Sequence, residues 1–201
     1  MDRQRLIVVL GMHRSGTSAI TRGLQVMGVG LGDRLIPPVE GNNPKGFWED
    51  IDLNSLNAEM LSACDSDWHY VAAIDSIDVE RLREQGHVLR AAELLRQKVC
   101  SAPIFGFKDP RVAKLLLFWK GVFSSCQFDV SYIVVLRHPL SVAKSLANRD
   151  GIEPEQSYLL WLGHVMTSLT GSAGNKRILV DYDRLMQSPD HELNRIAKSL
   201  Q

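Results

Sequence analysis

The chain has 201 residues, 45% of them apolar and 23% charged, which is ordinary for a soluble globular protein and enough for one well-packed domain. Lys plus Arg and Asp plus Glu number 23 each, so the net charge is zero and the basic excess of a nucleic-acid or membrane-surface binder is missing. No stretch approaches the ~20 consecutive apolar residues of a membrane-spanning helix. The three cysteines, Cys64, Cys100 and Cys126, lie far apart, with no zinc-type spacing. They read as free thiols of a reducing compartment, so the expected location is cytoplasmic. The run Leu6 to Leu10 is too short for a signal-peptide core. The sequence carries no signal of oligomeric state.

LIVVLG (6–11) is a continuous apolar, β-branched run closed by glycine, the pattern of a buried parallel strand. TSAITRGLQVMG then places Ala19, Ile20, Leu24 and Met27 at helical spacing and stops at Gly28. Residues 28–50, rich in Gly, Pro and Asn, read as an irregular excursion over the sheet edge. IDLNSLNAEMLSAC is a helix with Leu53, Leu56, Met60 and Leu61 on one stripe, and residues 78–99 read as one further helix. PIFGFKDP (103–110) is a short strand running into a charged turn, and VAKLLLFWKGVF is helical. VSYIVVLR (130–137) is a buried strand, followed by a helix with Pro139 in its first turn and Gly151 at its end. A helix from Pro154 to about Leu169 is expected to face inward through Tyr158, Trp161, Leu162, Val165 and Leu169. RILVDYD (177–183) is a last strand and 189–200 a last amphipathic helix. Strands alternating with helices give a three-layer α/β domain over residues 1–201, with a central parallel sheet flanked by helices.

The turn between the first strand and the first helix, GMHRSGTS (11–18), carries Gly11, Gly16 and Ser18 where the phosphate-binding pattern GxxxxGKS has them. Thr17 replaces the lysine, and a cation, Arg14, stands three residues earlier. Glycines that allow a tight path, backbone N–H groups at a helix start and the hydroxyls of Ser15, Thr17 and Ser18 suit a phosphate. The alternative is a plain junction in which Ser15 caps the helix, but capping gives no reason for Arg14. The strand YIVVL ends in Arg137 rather than in an acidic residue that would hold Mg²⁺. The loop and the strand end together point to a nucleotide anion handled without a metal. Eight residues after Arg137 stands Ser145, on one helical stripe with Ser141, so the pair Arg137 and Ser145 is a second candidate phosphate site; its structural alternative is an arginine capping neighbouring carbonyls and a surface serine.

These motifs resemble those of sulfotransferases that use 3′-phosphoadenosine-5′-phosphosulfate. GMHRSGT is similar to their 5′-phosphosulfate loop, with arginine at position 14 as in the tyrosylprotein branch and not lysine as in the cytosolic branch. LRHPLSVAKS is similar to their 3′-phosphate motif, FKDPR to the KDP segment of the tyrosylprotein branch, and ILVDYDRLMQSPDHELNRIAKSL to a strand-plus-helix segment of the family. The match runs in order from residue 7 to 200. The resemblance implies a P-loop α/β fold and sulfuryl transfer to a hydroxyl or amine of a small-molecule, glycan or peptide acceptor, with release of adenosine 3′,5′-bisphosphate. It implies His13, Arg14, Ser15, Gly16, Thr17, Ser18, Arg137 and Ser145 as donor-binding residues. Two departures stand out. The lid that follows the last helix in the family is expected to be absent or rebuilt from elsewhere, since the sequence stops at Gln201. The cytosolic branch's histidine base has no counterpart, and Pro110 stands near its place.

Sulfuryl transfer requires deprotonation of the acceptor, in-line alignment and stabilisation of charge on the leaving phosphate. Arg14 and Lys108 are the candidate charge stabilisers, Lys108 having an ion pair with Asp109 as its structural alternative. Glu49, in NPKGFWED beside Phe47 and Trp48, is the first candidate base, because apolar neighbours raise a carboxyl pKa. Its structural alternative is to favour, with Asp50, the start of the next helix. Asp33, Glu40 and Asp50 are rival carboxylates, and His13, His69, His138 and His164 rank below them. Trp48, Trp68 and Tyr70 are candidates to line an acceptor groove, while Trp119 and Trp161 read as core. The competing functions are a P-loop kinase of a small molecule and a non-catalytic nucleotide-binding relic.

Overall fold

The computed structural model describes residues 3–200; Met1, Asp2 and Gln201, the ends of the expected 1–201 domain, lie outside the described residues. Four strands, β1 (Arg5–Leu10), β2 (Ile104–Lys108), β3 (Asp129–Leu136) and β4 (Lys176–Asp181), form one sheet in the order β2-β1-β3-β4. All three pairings are parallel, with Val8 opposite Phe107 on one side and Tyr132 on the other. Alternate residues of β1 serve opposite faces, as the pleat requires. Leu6, Val8 and Leu10 join a core under α2 (Ile51–Ala63), α4 (His87–Val99) and α6 (Leu116–Ser125), whereas Ile7 and Val9 join one under α1 (Thr17–Val26) and α10 (Pro189–Leu200). Burial on both faces is why β1 reads as an unbroken apolar run. The class is therefore α/β, a central parallel sheet with helices on both sides.

The chain leaves β1 toward β2, then returns past β1 to β3. That reversal opens a crevice beyond the carboxyl ends of the strands, the usual ligand position in such sheets. The loop after β1, Lys108 at the end of β2 and Arg137 after β3 all belong to that rim.

Several local expectations need correction. Residues 78–99 are not one helix: α3 (Ser76–Glu84) and α4 are separated by Gly86, whose φ of +81° breaks the helical path. The segment after Pro110 divides into α5 (Arg111–Lys114) and α6. The strand expected over 177–183 stops at Asp181, whose carboxylate accepts from the Arg184 N–H and so starts α9 (Tyr182–Gln187). On α8 (Pro154–Gly171), the buried residues are Ser157, Leu160, His164, Val165 and Ser168, while Tyr158 and Leu162 are 38% and 49% exposed. The inward face is the one packed on α7 (Pro139–Asp150) and α5, and it runs through positions 157, 160, 164 and 168. Trp119 is fully buried as expected, but Trp161 is half-buried and donates its indole N–H to the Arg137 carbonyl at 3.0 Å. Among the described residues no helix is long and apolar enough to cross a membrane.

Candidate functional site

Gly16, with φ +90°, is the N-cap of α1 and makes no side-chain capping bond. Ser15 therefore does not cap the helix; it is 1% exposed and its hydroxyl has no hydrogen-bond partner. The first N–H groups of α1 are left for a ligand. Arg14 sits in the left-handed region at φ 65°, and the Ser15 N–H returns to the Met12 carbonyl at 3.1 Å, which closes the loop. A Cβ on Gly16 would fall 2.0 Å from the Tyr182 ring, so the loop is seated against the start of α9.

The Arg14 guanidinium ties the loop to distant segments. Its Nε donates to Ser145 Oγ on α7 at 2.8 Å, and the Asn42 side-chain carbonyl lies 3.5 Å from its terminal nitrogen. Arg137 donates to the Arg14 carbonyl at 2.8 Å and stacks over the Tyr182 ring at 4.7 Å; its buried Nε has no partner. Burial, followed by the fields of Arg149 and Arg137, pulls the Arg14 pKa down. Clustered like charges of this kind are relieved by an anion.

Lys108, at the end of β2, is buried, and its ammonium donates to Glu49 Oε1 at 2.5 Å, the Phe47 carbonyl at 2.9 Å and Ser18 Oγ at 3.1 Å. The second Glu49 oxygen accepts from Asn54 Nδ2 at 2.7 Å. Burial pushes the Glu49 pKa up, and the Lys108 charge opposes it. Lys108 thus pairs with Glu49 and not with its neighbour Asp109. Asp109 is 1% exposed and is held by the Arg111 backbone N–H and guanidinium at 3.0 and 3.2 Å, by Asn57 at 2.9 Å and by Asn54 at 3.3 Å.

These groups border a cavity of about 880 Å³. Its wall carries seven cationic side chains, Arg14, Arg22, Lys45, Lys108, Arg111, Arg137 and Arg149, against two carboxylates, Glu49 and Asp150. In a chain with no net charge this is a strong local segregation. His13, Gly16, Thr17, Ser18, Trp48 and Trp68 also border it, while Ser15 lies beneath the loop and Ser145 stands behind Arg14.

The rival carboxylates lie elsewhere. Glu40 is exposed. Asp50 caps α2 and, with Asp33 and Asp52, surrounds Lys98 at 3.0, 2.5 and 2.6 Å. That cluster has metal-like spacing, but an oxygen of each carboxylate is already turned onto the Lys98 ammonium, and Asp52 also meets Arg34 at 3.1 Å. His138 is exposed and caps α7. His69 lies 3.4 Å from Asp67, and His164 is buried against the Leu160 carbonyl at 2.8 Å; neither borders the large cavity. Tyr70 is 49% exposed and faces a separate small pocket. Sequence reasoning missed Tyr182, Asn42, Asn43, Asn54 and Arg149. A signal for Arg149 was present, since it continues the four-residue stripe of Ser141 and Ser145 on α7.

Solved structures share this fold, among them the following two. TT1252 from Thermus thermophilus is 17% identical, with full coverage of both chains and a TM-score of 0.53. The sulfotransferase domain from the Synechococcus PCC 7002 olefin synthase is 16% identical over 98% of this chain and 72% of that one, also with a TM-score of 0.53. No protein-family model and no curated protein matches the chain. At these identities the likeness extends to the fold, an α/β arrangement shared with a sulfotransferase domain.

Proposed function

We propose that the chain is a sulfotransferase that moves a sulfuryl group from 3′-phosphoadenosine-5′-phosphosulfate to a hydroxyl or amine of a small-molecule, glycan or peptide acceptor. The observation that carries this reading is the junction of Arg14 with Ser145 and Arg137. It brings the cation of the first loop, the arginine that follows β3 and the serine of α7 within hydrogen-bond reach of one another. The cradle fits a phosphate: α1 has uncapped N–H groups, Gly16 has no room for a side chain, and the buried Ser15 Oγ and Arg137 Nε lack partners. Gly16, Thr17 and Ser18 would hold the 5′-phosphate, with Ser15 and His13 supporting the loop, and Arg137 and Ser145 would hold the 3′-phosphate.

When bound, the donor would supply a sulfuryl group on a phosphate leaving group: as the acceptor oxygen or nitrogen bonds to sulfur, the S–O(phosphate) bond would break and its electron pair would stay on the phosphate. Arg14 and Lys108 stabilise that growing charge. Glu49 takes the acceptor proton; an ammonium that turns from Glu49 Oε1 toward the anion frees that oxygen. A kinase reading needs a free carboxylate at a neighbouring strand end to bind a metal. Arg137 follows β3, and the carboxylate after β2, Asp109, is already engaged by Arg111, Asn54 and Asn57. The three free cysteines support a reducing, cytoplasmic location as part of the same proposal.

Calorimetric titration tests the reading. Adenosine 3′,5′-bisphosphate is expected to bind without Mg²⁺, and Arg14→Ala to lower kcat/KM for transfer by about 100- to 1,000-fold with the fold retained. Tighter, Mg²⁺-dependent binding of ATP would overturn the proposal in favour of a kinase. Nucleotide binding with no transfer to any acceptor would leave the non-catalytic relic.

A further inference from the structure

The donor proposed above accounts for three of the cavity's cations, Arg14, Lys108 and Arg137. Four remain, Arg22, Lys45, Arg111 and Arg149, and of these Arg111 and Arg149 both act on the ring of His13. Arg149 lies over the Trp68 ring at 5.4 Å, and that ring lies 4.4 Å from His13. Arg111, Arg149, Trp68 and His13 border the same cavity as Glu49 and Lys108.

Each arginine has an acidic neighbour that uses only part of it. Arg111 gives one terminal nitrogen to Asp109 at 3.2 Å, and its Nε is buried with no partner. Arg149 gives its Nε to Asp150 at 2.7 Å, and its terminal nitrogens meet no acceptor among the described residues. His13 is not a third cation here. Burial, with the fields of His164, Arg111, Arg149 and Lys108, holds its pKa well below the ordinary value, so it stays neutral with Nε2 unpaired. Two partly unmet guanidinium groups beside an indole and a neutral imidazole make a site for an anion attached to a flat or apolar body.

We infer that the acceptor carries its own anionic group, a carboxylate or sulfate near the reacting hydroxyl, and that Arg111 and Arg149 receive this group beside Trp68. The inference rests on the sulfotransferase reading and narrows its acceptor class. The reacting hydroxyl lies toward Glu49 and Lys108. Its proton goes to Glu49, its oxygen forms the new bond to sulfur, and the acceptor's own anion stays unchanged in the product.

The test uses matched pairs that differ only in charge, 4-hydroxyphenylacetate with its amide and glucuronate with glucuronamide. Each is titrated into the full chain saturated with adenosine 3′,5′-bisphosphate, so binding is read without turnover. In at least one pair the carboxylate is expected to bind about tenfold or more tighter than the amide, the scale of a charged hydrogen bond. Arg149→Gln is expected to bring that ratio to within about twofold and Arg149→Lys to keep part of it, while the bisphosphate affinity changes by less than about threefold. Arg111→Lys, which keeps a cation beside Asp109, gives a second, milder probe and is expected to lower the ratio. Equal binding of acid and amide in both pairs overturns the acceptor inference alone. A loss of bisphosphate affinity in Arg149→Gln as large as the loss of acceptor affinity also overturns it, by assigning Arg149 to the nucleotide. Absence of bisphosphate binding by the unaltered chain overturns the sulfotransferase reading together with the inference.

Discussion

Lys108 and Glu49 are each held by the other, and neither is easily removed alone. The ammonium has three acceptors and the carboxylate has two donors, all within a buried site. Removing one partner strands a charge, at a typical cost of about 3–5 kcal/mol, whereas neutralising both avoids most of that loss. Lys108→Met is therefore expected to destabilise the fold by about that amount, and Lys108→Met with Glu49→Gln by clearly less, in urea unfolding at neutral pH. Additive losses would show that the two groups do not act as a pair. The same carboxylate predicts a pH profile. A base works only when ionised, so activity falls as pH drops through its pKa. Burial raises that pKa, which places the acid limb of kcat/KM above the ordinary glutamate value of 4.5. Glu49→Gln is expected to remove this limb and most of the turnover; an unchanged limb would assign it to another group. The aromatic neighbours in GFWED had pointed to a raised pKa, but the identity of the cation was not legible. Lys108 is adjacent to Asp109 in sequence and 59 residues from Glu49, and only the crossing of the 28–50 excursion over the end of β2 brings the distant pair together.

The turn from β1 into α1 is an element whose shape depends on another element. Gly16 needs its positive φ, and the space beside it is filled by Tyr182 at the start of α9. Gly16→Ala thus meets two obstacles, backbone strain and collision with the ring. It is expected to lower stability by more than about 1 kcal/mol and to abolish anion binding. Adding Tyr182→Ala removes the collision but not the strain, so stability should recover in part, as read by thermal unfolding of the single and double variants. No recovery would mean that the ring is not the obstacle. Strand positions were legible because β1 and β3 are covered on both faces and read as unbroken apolar runs. The division of 78–99 was not, because α3 and α4 keep helical spacing on either side of Gly86 and an isolated glycine does not announce its φ. The inner face of α8 was misread for a physical reason too. The face packed on α7 and α5 buries Ser157, His164 and Ser168 along with Leu160 and Val165, and it leaves Leu159, Leu162 and Met166 about half exposed, so apolar spacing alone does not mark it. The 28–50 excursion, read as irregular, does contribute order at the cradle, since Asn43 donates to Ser18 Oγ at 3.3 Å and Asn42 accepts from Arg14.

Across the whole molecule, two neutral histidines weaken folding in acid, and the raised pKa of Glu49 works in the opposite sense. His13 and His164 have ring centroids 6.4 Å apart, between the cavity loop and the α7–α8 layer. Burial, aided by the Lys114 charge, pushes His164 down to about 4 from an ordinary 6.5, against a hydrogen bond to the Leu160 carbonyl that favours the protonated ring. Burial lowers His13 in the same direction. In the unfolded chain both titrate near 6.5, so between about 4 and 6.5 the unfolded state binds more protons than the folded state. Stability therefore rises with pH through that window and is lost as pH falls below the unfolded value. For His164 alone the loss from pH 7 to pH 5 is about 2 kcal/mol, and His13 adds to it. Urea midpoints measured at pH 7, 6 and 5 are expected to fall progressively, and His164→Gln, whatever its stability at pH 7, is expected to flatten the slope. An identical slope in that variant would show that His164 does not remain neutral in the folded chain. A saturating anion in the cradle adds the same free energy at each pH only if its own charge and that of the cations around it are constant. A bisphosphate titrates near pH 6, so its stabilising effect should weaken at pH 5 on top of the histidine loss, and the two contributions separate by comparing the slopes with and without ligand.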